Sequence, residues 1–161
     1  AIHAVDAQQA LVFMNFNKRL GDTAAKLSAR QGMEVAALHG ELDKVERQNV
    51  MRRFRKGDIR ALLVSDVAAR GLDVPECDAV FNLELPSSAA AYAHRAGRTG
   101  RFGRYGLVVT CVEANEAFVV GKLAKELGIN IIEAEVGHGM LQPIDKDRKS
   151  QKAEVPDLDK Q

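Results

Sequence analysis

Short apolar runs of strand-forming composition recur along the chain at residues 10–14, 34–38, 60–65, 77–83, 106–112 and 130–135, and helix-like stretches at 18–30, 43–56, 88–95 and 113–127 stand between most of them. This alternation is the strongest constraint on the fold. A helix between two strands carries the chain back along the sheet, so successive strands run parallel, and a parallel sheet needs cover on both faces. The expected class is α/β, with a mainly parallel sheet between helical layers. The punctuation agrees: Gly32, Gly57 and Gly128 each follow a helical pattern where a C-cap belongs, and Asp43 and Ser87 or Ser88 stand where an N-cap belongs. At 161 residues, 46% of them hydrophobic, the chain has the size and core material of one domain. From Gly137 onward the pattern dissolves into a polar stretch with two prolines and nearly balanced charge. The expected organisation is a domain over 1–136 and a flexible or loosely docked extension over 137–161.

The formal charge of +1 excludes global basicity as a sign of a nucleic-acid partner, so any electrostatic footprint is local. Cys77 and Cys111 lie inside apolar runs without C-x-x-C spacing, and both are expected to be buried and reduced. No stretch of 18 apolar residues and no signal-peptide pattern is present, which predicts an intracellular protein with no membrane span, its compartment unspecified. The opening "AIHAVDAQQA" reads as the end of a helix, so an opening helix and a strand are expected to precede it.

In an open parallel sheet, ligands sit outside the carboxyl ends of the strands, which selects the loops after residues 14, 38, 65, 83 and 112. No G-x-x-x-x-G-K-[ST] string is present, and no acidic pair follows a strand in the manner of a magnesium site, so the chain has no nucleotide cradle of its own. It does have "HRAGRTGRFGR", residues 94–104, with four arginines and three glycines. Arginine suits polyphosphate because its planar fork is always charged and binds bidentately. If the segment is a helical turn, Arg98 and Arg101 project from one side about 5–6 Å apart. A solvated basic loop is the bland alternative for an isolated R-x-x-R, but the density of the cluster favours an anion site.

In "HGELDKVERQNVMRRFRKG", residues 39–57, Val45, Val50, Met51 and Phe54 read as one buried stripe, with Arg47 heading a basic outer face. The helix start follows a strand end, where the dipole and free amides favour phosphate. Arg52 to Lys56 read as a solvated face, and Arg47 as either that or a contact to a nucleic-acid backbone. In "LLVSDVAARGLD", Ser65 could meet a phosphate or simply cap the short turn, and Asp73 could meet a ribose or initiate the Val74-Pro75 bend. Arg70, on that turn, calls for a carboxylate or phosphate partner.

Taken in order, "LVF", "HGELDKVER", "VSDVAARGLD", "FNLELP" and "YAHRAGRTGRFGRYG" resemble the second, C-terminal RecA-like domain of DEAD-box ATP-dependent RNA helicases, over about residues 10–135. The resemblance implies a RecA-like three-layer α/β/α fold and a role in RNA unwinding or remodelling by the whole protein. RNA, ATP with Mg2+ and an N-terminal RecA-like domain that holds most of the nucleotide are the implied partners, and the C-terminal domain alone is expected to be inactive. It further implies that Arg98 and Arg101 are arginine fingers, that Gly71 and Asp73 lie at the ATP, that Gly40, Arg47 and Ser65 face RNA, and that Arg70, His94 and Arg95 organise the interdomain interface. The sequence departs from the family at Lys44, in place of the Gln of Q-x-x-R, at Ser65, where Thr is usual, and at Leu83 and Glu84, where Tyr and Asp are commoner. Two alternatives stay open at this point: a non-catalytic RNA- or protein-binding module, and a related translocase on duplex DNA.

Overall fold

The computed structural model describes residues 3–5, 7–15, 19–70, 74–100 and 105–144. They belong to two compact units, Ala7–Ile129 and a smaller one formed by Ala1–Asp6 with Asn130–Gln161.

The larger unit is built on five strands, β1 (Ala10–Phe13), β2 (Val35–Leu38), β3 (Ala61–Val64), β4 (Ala79–Asn82) and β5 (Leu107–Thr110). They lie in the order β2-β3-β1-β4-β5, and every neighbouring pair is parallel. The strands are in step, Ala10 beside both Ala61 and Ala79, so Leu38, Val64, Phe13, Asn82 and Thr110 end along one edge. The three inner strands are buried at every residue, as expected of strands covered on both faces, whereas the outer strands β2 and β5 are only partly buried. The connecting helices are α1 (Leu20–Gln31), α2 (Lys44–Lys56), α3 (Asp66–Ala69), α4 (Ala89–Ala96) and α5 (Ala117–Leu127).

The helix ends follow the capping residues. Asp43 Oδ1 accepts from Glu46 N at 2.7 Å while Glu46 Oε2 accepts from Asp43 N at 2.9 Å, a reciprocal capping box that sets the start of α2. Ser88, rather than Ser87, caps α4, and Gly57 closes α2 with φ 87°, a left-handed conformation that costs a residue without Cβ little. Within α2, Met51 and Phe54 are buried and Val50 packs against the same core, but Val45 is 72% exposed. Val45 precedes Phe54 by nine residues, and at about 100° per residue it lies on the opposite face. The expected stripe therefore begins at Val50. Cys77 is buried, but Cys111, expected to be buried, is exposed. Its backbone continues the sheet through a 2.9 Å bond from Cys111 N to Asn82 O, at the outer strand, where the thiol side lacks cover.

In the smaller unit the expected strand over 130–135 is displaced. β6 (Ala134–Gly137) pairs antiparallel with β7 (Met140–Pro143) through a two-residue turn in which His138 has φ 50° and Gly139 φ 78°. Positive φ at both central residues is the hairpin turn whose twist matches its strands. The hairpin thus crosses the boundary expected at residue 137. Residues 145–161 of the expected extension lie outside the described residues. No described helix is long and apolar enough to cross a membrane.

Candidate functional site

The buried polar residues of the sheet edge converge on Arg95. This side chain is 0% exposed and uses all five of its N–H groups. Nε and Nη2 donate to Asp66 Oδ1 and Oδ2 at 2.8 and 2.7 Å, Nη1 donates to Asn82 Oδ1 and Glu84 O at 3.2 and 3.0 Å, and Nη2 also donates to Asn15 Oδ1 at 2.8 Å. The guanidinium carbon lies 5.1 Å from the centre of the Phe13 ring. Helical side chains tilt toward the helix N-terminus, so Arg95, on the last turn of α4, reaches back to the carboxyl edge of the sheet. There it ties together the loops that follow β1, β3 and β4. Expected to organise an interface between domains, Arg95 is enclosed within this one, where it fixes that edge. Asp66, Asn82 and Asn15 are the partners of Arg95 that the sequence reading missed. One signal was available: Asn82 is a polar residue within an otherwise apolar strand.

The same edge carries the other candidates. Ser65 is 2% exposed, and its Oγ accepts from Ala68 N at 3.2 Å, so it caps α3 while its hydroxyl proton stays free, among the described residues, to donate. Arg47 is half-buried, and its Nη2 donates to His39 O at 3.3 Å, which ties the first turn of α2 to the end of β2. Gly40 is exposed and nothing lies within 4 Å of where a Cβ would stand, so the space above it is open. Arg70 is exposed and has no side-chain bond to a described residue. Gly71, Asp73 and Arg101 lie outside the described residues.

Arg98 is elsewhere. Helix α4 runs back along the sheet, and just beyond its end Cys77 N donates to Arg98 O at 3.1 Å while Thr99 Oγ donates to Cys77 O and Asp78 O at 2.6 and 3.1 Å. Cys77 and Asp78 precede β4, so Arg98 stands beside the amino end of that strand. The carboxyl-edge rule holds for the candidates around Ser65 and does not extend to Arg98. Two glycines permit the local fit: Gly100 has φ 69°, and a Cβ on Gly106 would stand 2.4 Å from Gly100 N and 2.6 Å from Thr99 Oγ. The two glycines therefore serve the close approach of two backbone segments. Arg98 Nη2 lies 2.7 Å from His94 Nε2, His94 being exposed. Arg98 Nε is buried without a partner among the described residues, and Arg98 forms no ion pair with a described carboxylate. Such a cation suits an anion, because its charge is uncompensated and one donor is unused.

A five-stranded parallel sheet whose carboxyl edge is tied by a buried arginine hub is an architecture shared with RecA-like helicase domains. The chain matches the family described as Helicase conserved C-terminal domain over residues 2–103. It is 48% identical over 147 residues to the mitochondrial DEAD-box ATP-dependent RNA helicase 47 of Arabidopsis thaliana, covering 91% of this chain and 26% of that protein. Among solved structures it resembles the E. coli DEAD-box protein SrmB bound to regulator of ribonuclease activity A, with TM-score 0.74, 33% identity and coverage of 81% of this chain and 76% of that one. It also resembles an S. cerevisiae Dbp5 variant bound to RNA and ADP BeF3, with TM-score 0.68, 30% identity and coverage of 90% and 37%. The chain belongs to the C-terminal, RecA-like helicase domains of the DEAD-box family. It spans about a quarter of the length of the curated relatives it matches.

Proposed function

We propose that this domain is the C-terminal half of an ATP-dependent RNA helicase and completes, from one side, a nucleotide site held mainly by an N-terminal RecA-like domain. The observation that carries the reading is the state of Arg98: charged, unpaired with any described carboxylate, and with a buried Nε–H that has no acceptor among the described residues. When bound, ATP with Mg2+ supplies the phosphoryl group that is transferred to water. Arg98, together with Arg101, brings positive charge to the γ-phosphate as the domains close, and Gly71 and Asp73 contact the ribose side. Gly40, Arg47 and Ser65 meet the RNA backbone, so binding is indifferent to base sequence. Arg70 and His94 face the partner domain. Closure on RNA bends one strand and destabilises a short duplex.

The test uses the protein that carries this chain behind its N-terminal domain. Removal of an arginine finger costs about 10³–10⁵ in phosphoryl-transfer enzymes, so Arg98→Ala should abolish RNA-stimulated hydrolysis to that degree while RNA binding persists. An unchanged rate would instead favour a binding module without an ATP cycle. Stimulation by duplex DNA but not by RNA would favour the translocase reading.

A further inference from the structure

A guanidinium has only donors, so the 2.7 Å contact between Arg98 Nη2 and His94 Nε2 fixes the direction of that bond. In that bond Nε2 can only accept, which calls for the tautomer with its proton on Nδ1. The two residues are four apart across the end of α4, a spacing that brings side chains onto one face. Among the described residues, His94 is the one side chain bonded to the Arg98 guanidinium. A carboxylate at that position would hold the fork more firmly but would neutralise it. A neutral ring nitrogen orients the cation and leaves its charge whole. The contrast lies three residues earlier, where Arg95 is locked by the Asp66 carboxylate and has no donor to spare.

We infer that His94 is a positioning residue for Arg98, its Nε2 setting the plane of the guanidinium that meets the nucleotide. This rests on the reading of Arg98 given above and adds to it a task for His94 inside its own domain, beyond any contact to a partner domain. His94 is exposed, so replacing it opens no part of the core.

Three substitutions test the inference in the protein carrying both domains. His94→Ala removes the acceptor and should lower RNA-stimulated kcat about 10–100-fold, the scale of a small misplacement of a catalytic group, with KM for ATP much less changed. His94→Gln offers an amide oxygen as acceptor and should restore most of that loss. In an Arg98→Lys background there is no planar fork to orient, so adding His94→Ala should change the rate by less than about twofold. A full His94→Ala loss in that background would overturn the inference, because His94 would then act independently of Arg98. If Arg98→Lys itself left the rate intact, the finger reading would fail and the functional role of His94 with it. The contact is read separately in the 161-residue chain, from the NMR signal of Arg98 Nε–H. That signal should move in His94→Ala and stay near its original position in His94→Gln, with equal melting temperatures. A signal unmoved by His94→Ala would overturn the contact.

Discussion

Arg95 and Arg98 are three residues apart in one motif and are held in opposite ways. Arg95 is buried, bidentate to Asp66 and saturated, while among the described residues Arg98 has one donor without an acceptor and no carboxylate partner. Breaking a buried ion pair by removing one partner strands the other, so Arg95→Ala should lower the unfolding free energy by about 3–5 kcal/mol in urea titrations. A loss under about 1 kcal/mol, the usual worth of an exposed pair, would contradict the enclosure described. The two thiols differ similarly. Burial, with Asp78 and Glu76 nearby, pushes Cys77 up to about 12, so it stays protonated at neutral pH; desolvation raises Cys111 too, but that residue is exposed to reagent. A thiol reagent at pH 8 should therefore modify one cysteine in the folded chain and two after denaturation.

The elements followed the sequence where local chemistry decides them. The Asp43–Glu46 box, Ser88, and the glycines closing α1, α2 and α5 end helices within a residue or two of the expected positions, because caps act over a single turn. What was not legible depends on direction in space. Val45 is apolar but sits on the wrong side of α2, and the His138-Gly139 turn lacks the Asn-Gly or Asp-Gly pair that announces a hairpin. Likewise, the motif at 94–100 does not reveal that α4 carries Arg98 to the amino end of β4 while Arg95 reaches back to the carboxyl edge. Gly106 connects this packing to function. A Cβ there would meet Gly100 N at 2.4 Å and force the segment that carries Arg98 to shift. Gly106→Ala should cost about 1–3 kcal/mol in stability, and it should reduce RNA-stimulated ATP hydrolysis with little change in RNA affinity. Equal loss of both would place Gly106 in the general core instead.

At the scale of the molecule, the domain has the architecture and family membership of a DEAD-box C-terminal helicase domain, and its sequence carries no G-x-x-x-x-G-K-[ST] string. The candidate site is accordingly divided. Arg98 stands at the amino end of β4, the Arg95 hub braces the carboxyl edge beside Ser65, and α4 spans the two. The fold class was legible from the alternation of strands and helices. The hub was not, because Asp66, Asn82 and Asn15 lie 29, 13 and 80 residues from Arg95 and meet only in the folded sheet. The central claim, that this chain supplies one side of a shared nucleotide site, is tested most directly by mixing it with RNA and Mg-ATP and measuring released phosphate. No RNA-stimulated hydrolysis is expected from the chain alone, and robust hydrolysis once it is joined to an N-terminal RecA-like domain; RNA-stimulated hydrolysis by the chain alone would show that it holds a complete nucleotide site instead.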